Sequence, residues 1–271
     1  MKMDLNDING KDSEGIGFWI IEKAISIVDR EAFLTEILGN KLSSEQLQDV
    51  LEKGTCFSNI SVDIVNEAAD ICINNIKKIS NGESALTGLP GGVAGITAGI
   101  LLDIIQLYTN LINLIQKLIY LYGIDFIFKN ENEDEDEDED EDIKNNKEDL
   151  SAIILCFIAI ALEARGVDDI IKVISKGMEM AYIKQSKKFI LLAKPTFYSM
   201  AKKIAKKIGL SITKKGFARA ASKAVPIVSC AISLLLNNFT FAPMTKRLKN
   251  ELEQIYKNQQ SSDIQNNVIL I

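Results

Sequence analysis

The chain has 271 residues, 47% of them hydrophobic, with 31 basic and 37 acidic side chains, four prolines, no histidine and a net charge of −6. That length can bury a substantial core, and the composition lies between an ordinary soluble enzyme and a multi-span membrane protein. The missing histidine excludes Ser/His and Cys/His nucleophile arrangements and any zinc shell completed by imidazole, so a catalyst built on this chain would use carboxylates, Lys or Tyr.

Residues 1–13 read as a polar tail without the basic start and apolar run of a secretory signal, which predicts a cytoplasmic chain. "EGIGFWIIEKAISIVDREAFLTEIL" has helical spacing throughout and is read as one helix. One or two short helices follow, and "LSSEQLQDVLEK" opens on a serine cap with Gln48 in its first turns. In "SNISVDIVNEAADICINNIKKIS", Ile64, Ala68, Cys72, Ile76 and Ile79 recur every three to four residues, which predicts an amphipathic helix. Further helices are predicted in "LSAIILCFIAIAL", "ARGVDDIIKVISKGMEMAYIKQ", "KPTFYSMAKKIAKKIG", "AVPIVSCAISLLLNN" and "PMTKRLKNELEQIY". No alternating strand run interrupts them, so the fold class is all-α, a multi-helix bundle. Cys56, Cys72, Cys156 and Cys230 stand far apart among aliphatic neighbours, with no CxxC, and read as core thiols of a reducing compartment.

The stretch "GLPGGVAGITAGILLD", residues 88–103, lacks the Lys-Ser/Thr of a phosphate loop and the preceding strand of a dinucleotide fingerprint. Gly91, Gly95 and Gly99 instead fall four apart, on one face of a helix, where the missing Cβ atoms admit a close neighbour. This glycine zipper opens a helix of about 30 residues, ~45 Å long, that ends at a glycine stop on Gly123. Each glycine costs roughly 0.5–1 kcal/mol against alanine, which tight core packing offsets. Asp103 and Lys117 interrupt the long apolar run. The longest uncharged runs, Ser84–Leu102 with five glycines and a proline and Ala224–Thr245 with two prolines and two asparagines, are borderline spans or re-entrant hairpins at best. Asp103 continues the zipper register: it is either a buried carboxylate with a raised pKa or a surface carboxylate paired with a lysine.

Residues 131–142 carry eleven carboxylates in twelve positions. Such a run is expected to be solvated and disordered, an insertion over 130–147 within a single domain 14–256, with a C-terminal tail at 257–271. Charge is segregated along the chain: residues 180–250 hold fifteen Lys or Arg and no acid, leaving 16 basic against 37 acidic residues elsewhere. In "AKKIAKKIG", Ala201, Ile204, Ala205 and Ile208 form one helix face, and Lys202, Lys203, Lys206 and Lys207 the other; Lys214, Lys215 and Arg219 extend the basic surface. The apolar face can dock in a core while the lysines meet solvent or anionic headgroups. Nucleic acid is the rival ligand, disfavoured by the acidic net charge, the scarcity of arginine and the lack of a recognition motif. A third use is internal, with the acidic run folding back on the lysines and competing with lipid.

"ALTGLPGGVAGITAGILLDIIQLYTNLINLIQKLIYLYGID" resembles the glycine-rich helix of the EcsC family, with its Gly-Leu-Pro-Gly entry and Tyr-Gly close. "KIAKKIG" to "KAVPIVSCAISLLLNNFTFAPMTKRL" is similar to that family's basic helix and Val-Pro-Ile-Val segment. The resemblance spans about residues 55–256, apart from the acidic insertion. It departs at Ser229, Cys230 and Ala231, where relatives tend to carry glycines. It implies a helical protein of bacterial membrane and secretion contexts whose activity is not established, and it transfers no catalytic residue, metal or cofactor. The expected role is peripheral attachment to the inner membrane face, with an unidentified membrane protein as a further partner. The alternatives are a hydrolase acting on lipid or peptide, or a membrane-inserting effector or immunity-type protein.

Overall fold

A computed structural model of the chain describes residues 10–25, 28–87, 108–124, 151–184, 195–212 and 242–269, and every regular element among these described residues is helical. The all-α class follows directly. Helix α1 (Ser13–Ile25) starts where the Asp12 carboxylate accepts from Gly15 N at 2.8 Å. It does not run on to residue 38 as the apolar period suggests. Asp29 is extended, with φ −72° and ψ 125°, and accepts from Ala32 N at 2.7 Å to open a new helix, α2 (Arg30–Leu38). An aspartate at the N-cap outweighs an unbroken hydrophobic rhythm, because it satisfies an amide that an uninterrupted helix would have bonded internally.

Helix α3 (Ser44–Lys53) opens with a full capping box: Ser43 Oγ accepts from Gln46 N at 3.2 Å and Gln46 Oε1 accepts from Ser43 N at 3.0 Å. Gln46 is the box partner, whereas Gln48 donates to Glu52 one turn on, at 2.7 Å. The far end of α3 is held by Arg30 at the start of α2, whose guanidinium donates to Leu51 O at 2.8 Å and Val50 O at 3.4 Å. A single 3₁₀ turn (Thr55–Phe57) leads to α4 (Val62–Thr87), whose buried stripe runs through Val65, Ala68, Ala69, Cys72, Ile73 and Ile76. Ile79 lies where side chains fall outside the described residues.

Helix α5 covers 108–121 and helix α6 covers 151–161; then come α7 (Val167–Lys184), α8 (Pro195–Ile212) and α9 (Ala242–Ile269). Every residue from Ser151 to Ala161 is buried, so α6 is apolar on all sides and lies in the middle of the core. It ends in a Schellman turn: Ala164 N donates to Ala159 O at 3.0 Å, Glu163 N donates to Ile160 O at 3.1 Å, and Glu163 takes the left-handed φ of 48°. Arg247 of α9 holds this end, donating Nη1 to Ala161 O at 3.3 Å and pairing Nε with the Glu163 carboxylate at 2.5 Å. Helix α9 passes residue 256 without a break, and Gln260 donates to Ile60 O at 2.8 Å.

The turn at residues 54–61 joins three helices. Thr55 is fully buried, and its hydroxyl donates to Leu121 O at 2.6 Å, closing the last turn of α5. Gly123 stops that helix as its sequence predicts, with φ +66°, and a Cβ there would fall 2.7 Å from Cys56 N. Tyr256 of α9 reaches the same turn, its hydroxyl 3.0 Å from Thr55 O and 2.7 Å from Ile60 O. Its ring packs edge-on against Tyr122, centroids 6.0 Å apart. Tyr122 in turn donates to Asn66 Oδ1 of α4 at 2.7 Å. Burial pushes both phenol pKa values up, so both act as neutral donors at physiological pH.

Among the described residues Cys56, Cys72 and Cys156 are buried thiols of the core, and Cys230 lies outside these residues. Burial raises the Cys72 thiol to about 11, against a smaller opposing pull from Lys117, and raises Cys156 as well. Reaction with a thiolate-selective reagent at pH 8 is therefore expected to label these three positions only as fast as the chain unfolds; labelling faster than unfolding, mapped by mass spectrometry, would contradict this packing. Gly123→Ala combines a left-handed backbone with a backbone clash and is expected to cost about 2 kcal/mol or more. Thr55→Val strands the Leu121 carbonyl in the core and is expected to cost about 1–3 kcal/mol. Urea midpoints measure both.

Candidate functional site

Helix α8 begins on Pro195, a residue suited to the first turn because the missing amide would find no partner there. Its sequence then alternates pairs of lysines with pairs of small or branched apolar residues. In a helix of 3.6 residues per turn this places the two sets on opposite sides. The structure places them so: Ala201, Ile204, Ala205 and Ile208 are buried, and Lys202, Lys203, Lys206 and Lys207 are exposed. The four ammonium groups thus occupy one stripe, over which the helix advances by about 7.5 Å.

The buried side of α8 packs on α1, and the approach is unusually close. A Cβ built on Gly17 would lie 2.1 Å from the carbonyl oxygen of Ala205 and 2.7 Å from its Cα, so only glycine fits. Ala201, one turn before Ala205, keeps the same face shallow. The logic of small residues four apart operates here, between Gly17 and the alanines of α8, a pairing the sequence reading did not single out. A signal was present in the cost of a glycine inside an amphipathic helix, roughly 1 kcal/mol against alanine. The zipper residues Gly91, Gly95 and Gly99 lie outside the described residues, as does Asp103. Lys117, which breaks the same apolar run, is half-buried on α5 with its ammonium 5.4 Å from the centroid of the Phe33 ring.

The electrostatic surroundings of the lysine stripe are uneven. Lys202 faces Glu14 of α1 at 3.9 Å, an exposed pair worth little in water. Among the described residues, no carboxylate forms an ion pair with Lys203, Lys206 or Lys207. Elsewhere several lysines find acids: Lys41 with Glu67, Lys53 with Asp49, Lys249 with Asp70 and Lys257 with Glu253. Lys203, Lys206 and Lys207 thus gather three cations on one stripe with no ion pair among the described residues. Lys214, Lys215 and Arg219, which extend it in the sequence, lie outside the described residues.

A second polar group of side chains runs between α4 and α9. Hydrogen bonds from Lys257, and then from Asn66, hold the Glu253 carboxyl below its usual range despite some burial. Asn66 also receives the Tyr122 hydroxyl. The cluster ties α9 to α4 and to the end of α5. Among the described residues no group of three or more metal-ligating side chains converges, and no helix is long and apolar enough to cross a membrane.

The two sides of α8 should respond differently to substitution. Gly17→Ala must push α1 off the Ala205 backbone and is expected to lower stability by about 1–3 kcal/mol. K203E/K206E/K207E alters only exposed positions and is expected to stay within about 0.5 kcal/mol per residue. Urea unfolding followed by Trp19, the chain's only tryptophan and 6% exposed, reads both. A large loss in the lysine variant would mean that the lysines are structural.

Compared with known protein families, curated proteins and solved structures, the chain matches none.

Proposed function

We propose that this chain is an EcsC-like helical protein that associates peripherally with the cytoplasmic face of a membrane through the lysine face of α8, in a binding or accessory role. The observation that carries the reading is the exposure of Lys202, Lys203, Lys206 and Lys207 on one stripe of a helix whose opposite side is buried against α1. The long acid-free stretch of residues 180–250 supports it from the sequence side. The order of the Gly-Leu-Pro-Gly and Val-Pro-Ile-Val motifs supports the family.

The packing supports an electrostatic mode of attachment. Among the described side chains of α8, the apolar ones from Met200 to Ile208 are buried, so this part of the helix has no free hydrophobic side to bury among acyl chains, unlike an isolated interfacial helix. Attachment then rests on the ammonium groups. Each contributes about 1 kcal/mol near an anionic surface, so four give roughly 4 kcal/mol, an affinity in the mM range. Adding Lys214, Lys215 and Arg219 at the same rate brings this to roughly 7 kcal/mol, or about 10 µM. Binding of this kind is reversible and screened by salt, because the Debye length shrinks from about 30 Å at 0.01 M to about 8 Å at 0.15 M. Lysine also reads charge density rather than headgroup shape, since it offers a point charge and not a planar fork.

Co-sedimentation with vesicles of neutral or anionic phospholipid tests the reading. Binding is expected to anionic vesicles only, to fall steeply between low and physiological salt, to be removed by an alkaline wash, and to be abolished in K203E/K206E/K207E. Indifference to anionic vesicles at low salt would overturn it. Retention through the alkaline wash would point instead to insertion.

A further inference from the structure

We propose that the lysine face of α8 has a ligand within its own chain, the acidic run of residues 131–142, which competes there with anionic lipid. As a statement about regulation it rests on the membrane reading above; as a statement about an intramolecular contact it stands apart from it. Two observations point to this occupant.

The first is complementarity of charge. Lys203, Lys206 and Lys207 have no ion-pair partner among the described residues, whereas Lys53 on α3 and Lys249 and Lys257 on α9 pair with nearby acids. Residues 133–142 are ten consecutive carboxylates, far denser in negative charge than any other part of the sequence. Neighbouring like charges repel, and part of that repulsion is relieved when cations lie alongside. A row of lysines on a helix held rigidly against α1 offers them without further ordering. Contacts between lysine and carboxylate carry no demand for a particular backbone geometry, so a run of alternating Glu and Asp can meet the stripe in many registers.

The second is reach. The run rejoins the described chain at Ser151, the first described residue of α6, and α6 rises about 16 Å over its eleven residues. Beyond its end, a Cβ at Gly166 would sit 3.3 Å from Met200 Cε of α8, which places the turn after α6 against α8 a few residues before the lysines. The attachment point and the lysine face are thus separated by about one short helix. Nine peptide steps lie between Asp142 and Ser151, and an extended chain covers about 3.3–3.6 Å per residue, roughly 30 Å in all. A ligand tethered at such a distance competes at an effective concentration in the mM range, comparable with the weak affinity that four lysines give for a surface.

Zero-length carbodiimide cross-linking of the full chain, read by mass spectrometry, tests the contact in the absence of lipid. Cross-links are expected between residues 131–142 and Lys203, Lys206 or Lys207 in dilute buffer, with loss at high salt. Their absence in dilute buffer, or their spread without preference over all lysines, overturns the proposal. A length-matched variant with each Glu and Asp of 133–142 changed to Gln and Asn then tests competition. It is expected to bind anionic vesicles several-fold more tightly than the parent chain, with the difference vanishing in the K203E/K206E/K207E background. Cross-links in a chain that ignores vesicles would remove the membrane reading and leave the contact standing. Vesicle binding with no cross-links and no gain on neutralising the run would do the reverse.

Discussion

The hydroxyl of Thr55 is the point on which the helices agree. It is wholly buried and donates to Leu121 O at 2.6 Å, so the end of α5 is closed by a residue from a different part of the chain. Helix ends leave carbonyls without partners, and in a dry core such a carbonyl costs about 1–3 kcal/mol if nothing reaches it. Once Thr55 is committed to that bond, the turn around it is fixed, and Gly123 must come within contact distance of Cys56. The carbonyls of Thr55 and Ile60 then face Tyr256 and share its one hydroxyl proton, with Ser58 N also reaching the first and Gln260 the second. Helices α4, α5 and α9 are registered against each other by this one turn, and their apolar stripes fill in around it.

Much of the architecture is legible in the spacing of apolar residues. The stripe of α4 and the two faces of α8 follow from counting in threes and fours, whereas α6 is read as a helix but its burial on all sides is not a matter of period. Gly123 also announces itself, because a glycine after Tyr-Leu-Tyr at the end of an apolar run supplies the left-handed turn that the helix needs. What counting misses is decided by single polar contacts. Residues 14–38 keep their rhythm across Asp29, and only the preference of that carboxylate for the Ala32 amide separates α1 from α2. The same is true of Gln46 over Gln48 in α3, where three residues rather than five complete the box.

Helix contact is legible as a rule and not as an address. Small residues permit close approach wherever they occur, and the chain offers several glycines in helical runs. That Gly17 meets Ala205 depends on pairing residues far apart in sequence, and no periodicity within one helix contains that information. The charge pattern behaves in the opposite way. Four lysines on one face of α8 can be read from nine letters, and their exposure follows once the other face is buried. That Lys41 and Lys249 meet acids of α4 emerges only in three dimensions.

The reach of Tyr256 back to a turn some two hundred positions earlier has a consequence for how the molecule is made. During synthesis the N-terminal helices emerge long before α9 does, and the Ile60 carbonyl must wait in a half-built interior for donors not yet translated. Contacts across such separations close last, because the entropy of the intervening loop must be overcome first. The central seam therefore stays open until α9 has been made, and that helix acts as the keystone that seals it.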